Sequence, residues 1–167
     1  MLVPSDNDLA LLAVRAGESL LTRGLTIALA ESCTGGYVAK LITDVPGSSQ
    51  WFNCGFVAYS NEAKQKQLGV SAATLGQHGA VSEQVAVEMA VGALVVGEAK
   101  RAVAITGVAG PDGGTDAHPV GLVWFSRTQR LENGSVGAFA MQRRFAGDRD
   151  EVRRLAAAFA LGMLLDP

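Results

Sequence analysis

Leu25-Thr26-Ile27-Ala28-Leu29-Ala30, followed at once by Glu31-Ser32-Cys33-Thr34-Gly35-Gly36, decides how this chain folds. Leu25, Ile27 and Leu29 alternate with small residues between Gly24 and a polar stretch, the pattern of a short buried strand. Two hydroxyls, a thiol and two glycines then lead into Tyr37 to Ile42, which reads as the start of a helix. A strand-to-helix turn of this kind holds a side chain at the carboxyl edge of a sheet. It also points the free N–H groups of the helix start toward whatever binds there. That geometry suits a nucleophile with a built-in anion hole.

Outward from this turn the same alternation recurs. Asp6 to Thr22 has helical periodicity, with Leu9, Leu12, Ala13, Ala16 and Leu20 on one stripe and Gly24 closing it. A second helix covers about Gly35 to Asp44 and stops before Pro46-Gly47. Phe52 to Tyr59 reads as a strand, and Ser60-Asn61 supply capping chemistry for a helix over Asn61 to Leu68. Ala80 to Gly97 is expected as the longest helix, with Ser82 as N-cap and Val85, Met89, Val91 and Val95 available for burial. Arg101 to Thr106 reads as a third strand, followed by a glycine-rich loop from Gly107 to Pro119.

Val120 to Thr128 and Ser135 to Arg144 form a hairpin pattern around Glu132-Asn133-Gly134. The last helix starts at Asp148, with Glu151 completing a capping box, and runs to about Leu165. Interleaved strands and helices predict an α/β fold, a three-layer α/β/α sandwich. Its sheet is expected to be five-stranded, mixed and mainly parallel, the hairpin supplying one antiparallel strand. No linker or repeat divides the chain, so residues 1–167 are expected to form one domain.

Composition narrows the function. Of 167 residues, 49% are apolar and 18% charged, the balance of a compact globular chain. A net charge of −2 gives no global attraction to nucleic acid or to acidic membranes. The longest apolar stretches, Val85 to Val96 and Leu155 to Leu165, are too short for a membrane span and are interrupted by Glu88, Gly92 and Gly162. Met1 to Asp8 lacks the basic start and apolar run of a secretory signal. Cys33 and Cys54 fit neither a metal pattern nor a disulfide framework, so a cytoplasmic protein with free thiols is expected.

Four groups of residues could carry chemistry. Ser32 is either a helix cap or a nucleophile, and as a nucleophile it needs a base. The two histidines, His78 and His118, lie in no triad motif, and no Gly-x-Ser-x-Gly elbow is present. Lys64 is the candidate base. It falls in the first turn of its helix, where the macrodipole and some burial would lower its pKa; otherwise it is a solvated lysine like Lys66. Tyr59 ends the preceding strand and could hydrogen-bond in the same site.

The loop Thr106-Gly107-Val108-Ala109-Gly110-Pro111-Asp112-Gly113-Gly114-Thr115 lets backbone approach a ligand and leaves N–H groups for oxyanions or phosphate. It matches neither a P-loop nor the Rossmann spacing. Among Arg143, Arg144, Arg149, Arg153 and Arg154, Arg149 stands in the first turn of the last helix, where a phosphate or carboxylate would be favoured. Asp150 and Arg154 are spaced as a solvated i,i+4 pair. Cys33 competes with Ser32 as nucleophile, since a thiol at a helix start can be acidified, although packing is the simpler role. Trp51 and Trp124 read as core or pocket wall, and no metal-ligand spacing is present.

Taken together and in order, Ala30–Gly36, Tyr59–Lys64, Gly79-Ala80-Val81-Ser82, Thr106–Thr115 and Gly147–Arg153 make the chain resemble the CinA C-terminal domain family. The resemblance covers nearly the whole chain. It implies a three-layer fold and a serine amidohydrolase that converts nicotinamide mononucleotide and water to nicotinic acid mononucleotide and ammonia. On that likeness Ser32 is the nucleophile and Lys64 its base, with Tyr59 and Thr106 assisting. Thr34, Gly35, Gly36, Gly107, Gly110 and Arg149 would bind substrate, the Gly35 and Gly36 amides holding the oxyanion and Arg149 the phosphate.

No metal or organic cofactor is implied, and the partners expected are the pyridine nucleotide and a second copy of the chain, without nucleic acid or membrane. Asp116-Ala117-His118-Pro119 departs from relatives that often carry Glu-Lys before the proline. The alternative within the family is a non-catalytic, competence-associated binding module.

Overall fold

The structure is a computed structural model describing residues 2–131 and 133–165. Five strands form one sheet: β1 (Ile27–Glu31), β2 (Phe52–Val57), β3 (Arg101–Gly107), β4 (Leu122–Arg130) and β5 (Val136–Arg144), in the order β2-β1-β3-β4-β5. β1 pairs in parallel with both β2 and β3, whereas β3–β4 and β4–β5 are antiparallel. Four strands therefore run one way and β4 alone runs against them, the mixed sheet expected from the hairpin. Gly134, at φ +82°, turns the hairpin, and the Ser135 N–H donates to Asn133 Oδ1. Glu132, part of the same turn signal, lies outside the described residues.

Two apolar layers cover the sheet. On one face pack α1 (Asp6–Thr22), α2 (Tyr37–Thr43) and α6 (Arg149–Leu165), burying Leu9, Leu20, Ile42, Val103, Phe125 and Leu161. On the other lie α3 (Asn61–Leu68), α4 (Ala72–His78) and α5 (Glu83–Val96), over Ala28, Ala30, Ala102 and Ala104 of the sheet and Val85, Met89 and Leu94 of α5. The small strand residues on this second face let α5 settle close to the sheet.

Helix boundaries follow local chemistry. Ser5 and Asp8 cap α1 reciprocally, Ser60 accepts from the Ala63 N–H at the start of α3, and Ser82 accepts from Val85 at the start of α5. Asp148 and Glu151 exchange the two bonds of the expected capping box.

Three expectations change. α1 and α6, each of 17 residues, are longer than the 14-residue α5. Val95 is 52% exposed, because the face of α5 turned to the sheet is Val85, Ala86, Met89, Ala90, Ala93 and Leu94. α4 is an additional helix, capped by Ser71 and buried through Leu75. One close approach fixes the outer layer. A Cβ on Gly92 of α5 would stand 2.0 Å from the Leu68 carbonyl oxygen at the end of α3, so only glycine admits this contact.

Candidate active site

The carboxyl ends of β1 and β3, the start of α3 and the loop after β3 surround one cavity of about 260 Å³. Ser32, Cys33, Tyr59, Lys64, Thr106, Gly107, Gly110 and Arg149 all line it. Segments spread over more than a hundred positions thus meet at one sheet edge, as the carboxyl edge of parallel strands favours.

Lys64 lies in the first turn of α3 but is only 1% exposed. Its Nζ is 2.9 Å from Ser32 Oγ, 2.9 Å from the Ala58 carbonyl oxygen and 3.1 Å from the Tyr59 carbonyl oxygen. Nζ donates to Ser32 Oγ as well as to the two carbonyls. In the neutral amine two N–H bonds can stay on the carbonyls while the lone pair turns to the Ser32 hydroxyl. Burial holds the Lys64 pKa below the ordinary lysine value, opposed by the neighbouring Cys33. Desolvation, the burial half of the expectation, is the largest cause. No carboxylate pairs with Lys64 among the described residues.

Ser32 is 8% exposed, and its N–H donates to the Ile105 carbonyl, pinning this turn to β3. Thr106 Oγ1 donates to the Ala80 carbonyl at 2.7 Å. With its proton committed there, the Thr106 oxygen can only accept from a ligand. Tyr59 takes part twice. Its carbonyl receives Lys64, and its phenol accepts from Arg149 Nη2 at 3.0 Å. Arg149 Nη1 also donates to the Gly110 carbonyl at 2.7 Å, tying α6 to the glycine loop. Arg149 has no carboxylate partner among the described residues, so its charge stays available to an anion.

Cys33 is removed as a rival nucleophile. Burial pushes its thiol up to about 12, the opposite of the acidification a reactive cysteine needs. The neighbouring arginines are mostly structural: Arg153 donates to the Thr34 carbonyl, and Arg143 stacks over Phe159. Arg154 pairs with Asp6 at 2.7 Å rather than with the expected Asp150, a contact between α1 and α6.

Thr34, Gly35 and Gly36 stand apart from the cavity wall. Thr34 is fully buried. Gly35 and Gly36 have φ of +61° and +90°, so the backbone of the turn itself requires glycine. Nor are their amides free to hold an oxyanion. The Gly35 N–H donates to the Ser32 carbonyl and the Gly36 N–H to Glu31 Oε2, both at 3.0 Å. The amides of Ala109 and Gly110, both in the cavity wall, donate to no other described residue. Gly107 lines the cavity too, but a Cβ there would stand 2.6 Å from the Leu122 carbonyl oxygen, so its glycine serves strand packing.

Glu31 carries a role the sequence reading does not assign. It is 1% exposed; Oε2 accepts from the N–H groups of Gly36 and Val38, and Oε1 from that of Ala39. A signal for this was present. A helix whose N-cap is a glycine has no side-chain cap of its own, so its amides need an acceptor from nearby, and Glu31 is the acid at hand.

Fold and site define a three-layer α/β/α protein with a serine aligned on a buried lysine at the carboxyl edge of its sheet. The chain belongs to the CinA C-terminal domain family, whose sequence model matches residues 10–167. It is 53% identical over 160 residues to the nicotinamide-nucleotide amidohydrolase PncC of Escherichia coli strain K12, spanning 96% of this chain and 94% of that one. A putative competence-damage inducible protein of Symbiobacterium thermophilum is 53% identical over 152 residues, which are 89% of this chain but 36% of that longer protein. Among solved structures, the competence/damage inducible protein CihA of Agrobacterium tumefaciens superposes with a TM-score of 0.87 at 42% identity, covering 99% of this chain and 97% of that one.

Proposed function

We propose that this chain is a nicotinamide mononucleotide amidohydrolase working through Ser32 and Lys64. The observation that carries the reading is the 2.9 Å contact between Lys64 Nζ and Ser32 Oγ, with both other Nζ contacts made to carbonyls. The match to a named nicotinamide-nucleotide amidohydrolase along nearly the full length of both chains supplies the substrate.

In this mechanism neutral Lys64 takes the Ser32 proton as Oγ attacks the carboxamide carbon. The oxyanion that forms is received by the amides of Ala109 and Gly110, in place of Gly35 and Gly36. Protonated Lys64 returns its proton to the nitrogen, which leaves as ammonia. Water then attacks the acyl-serine, giving up its proton to Lys64, and nicotinic acid mononucleotide departs as Ser32 regains its hydrogen. Thr106 accepts from the carboxamide N–H, a role its committed proton favours. Arg149 holds the phosphate end. The chemistry asks for no metal or organic cofactor.

The same reading has residues 1–167 acting as one cytoplasmic unit, free of nucleic acid and membrane, and paired as a homodimer. In support, the net charge is −2, and no helix among the described residues is long and apolar enough to cross a membrane. Edge strand β5 exposes Phe139; sedimentation of the purified protein tests the dimer. The deciding assay is ammonia release from nicotinamide mononucleotide by the parent, Ser32→Ala and Lys64→Ala. Turnover by the parent alone supports the reading. Turnover that survives both substitutions overturns the mechanism, and a silent parent favours the binding module suggested by the competence-related names of other relatives.

A further inference from the structure

We infer that Glu31 is a positioning residue for the Ser32 nucleophile, an inference that rests on the Ser32–Lys64 reading of the site. Glu31 is the last residue of β1 and immediately precedes Ser32. Its carboxylate reaches across the turn to accept from three amides at the start of α2, at 3.0, 3.2 and 2.8 Å. The turn is therefore closed on itself. Ser32 sits between β3, through the Ile105 carbonyl, and a helix clamped to the residue before it.

Two observations separate this role from ordinary capping. The cap comes from the strand rather than from the N-cap position, which is Gly36 with no side-chain bond. Clamping α2 therefore also fixes the angle at which β1 hands the chain to Ser32. The second is the absence of any cation paired with Glu31 among the described residues. The buried carboxylate is stabilised by the helix amides and their dipole alone, so it can be held only while α2 stays in this position. A short helix with left-handed glycines at its start would otherwise be free to pivot. Displacing Ser32 Oγ by about 1 Å from Lys64 costs on the order of 100-fold in rate.

The test uses the reactivity of Ser32 itself. Parent, Glu31→Ala and Glu31→Gln are treated with an alkyl fluorophosphonate, and the rate of covalent labelling at Ser32 is read by mass spectrometry at a temperature where circular dichroism shows each variant folded. Glutamine keeps one carbonyl oxygen for Gly36 and Val38 but offers an NH2 group to the Ala39 N–H, so it retains part of the clamp. Expected is labelling slowed on the order of 100-fold in Glu31→Ala and about 10-fold in Glu31→Gln. The KM for nicotinamide mononucleotide should stay within about two-fold of the parent, since Arg149 and the glycine loop are untouched.

Folded variants that label at the parent rate would overturn the inference, as would a loss that appears in KM alone. If Glu31→Ala does not fold, Glu31→Gln carries the comparison. Because labelling needs no nicotinamide nucleotide, a parent that labels but does not turn over that substrate contradicts the proposed function while leaving this inference open to the same measurement.

Discussion

Lys64 Nζ and Ser32 Oγ stand 2.9 Å apart although 32 positions separate them, and each is delivered by a different layer of the sandwich. Replacing either removes one half of a proton transfer. Lys64→Ala is expected to lower kcat by roughly 10²–10⁴-fold, the usual worth of a positioned general base. Ser32→Ala should leave no acyl intermediate. Both are read by ammonia release and by trapping the acyl-serine in quenched reactions.

The depressed pKa of Lys64 sets the direction of two pH profiles. The proposed mechanism requires the neutral amine, so kcat/KM should rise with pH as a single deprotonation, with its midpoint below the ordinary lysine value of 10.5. Stability should move the same way. Below the lowered pKa both folded and unfolded chains hold the proton, and burying the charge costs its full amount. Between that value and 10.5 the unfolded chain binds the proton more tightly, so stability climbs as pH rises through this window. Denaturant titrations of parent and Lys64→Met at several pH values measure it, and the lysine-dependent slope should vanish in the variant.

Arg149 makes no ion pair among the described residues, so its loss should be felt by the ligand's anion. Arg149→Ala is expected to raise the KM for nicotinamide mononucleotide about 10- to 100-fold, the worth of a charged hydrogen bond. The KM for nicotinamide riboside, which lacks the phosphate, should change little. Equal effects on both substrates would remove Arg149 from phosphate binding.

Cys33, with its thiol at about 12, should resist iodoacetamide at pH 8 in the folded protein, and Cys33→Ala should remain active. Peptide mapping after alkylation reads this. Cys54, which is only partly buried, should account for the label found.

Gly92→Ala would drive a methyl group into the Leu68 carbonyl and push α3 away from α5. A cost of about 1–3 kcal/mol follows, or about 2–4 °C of melting temperature per kcal/mol. Since α3 carries Lys64, kcat should fall with it although Gly92 touches no ligand.

Local signals carried most of this far. Ser60 and Leu68 bracket α3 in the sequence as they do in space, which put Lys64 in a first turn, and the Asn133-Gly134 pair marks the hairpin whose β4 runs against the sheet. Signals that depend on tertiary neighbours were not legible. α4 buries mainly Leu75, so it shows no apolar stripe. Arg154 finds Asp6 across the whole length of the chain, where its spacing pointed to Asp150. The resemblance implies an oxyanion role for the Gly35 and Gly36 amides, and only the positions of the Ser32 carbonyl and the Glu31 carboxylate show them engaged. The resemblance implies substrate contact for Thr34 as well, and the tightness of the turn buries it instead.

β2 lies at the margin of the sheet, hydrogen-bonded on one side only. The two carbonyls that hold Lys64 belong to Ala58 and Tyr59, the residues just beyond its end, and the Ala58 N–H is anchored in turn on the Glu31 carbonyl. Fraying of this outermost strand would therefore loosen the Lys64 amine. Occupation of Ser32 becomes a signal carried to the rim of the molecule. Amide hydrogen exchange in β2 should slow when the serine is acylated, so the state of the chemistry can be read from a strand that does not touch the substrate.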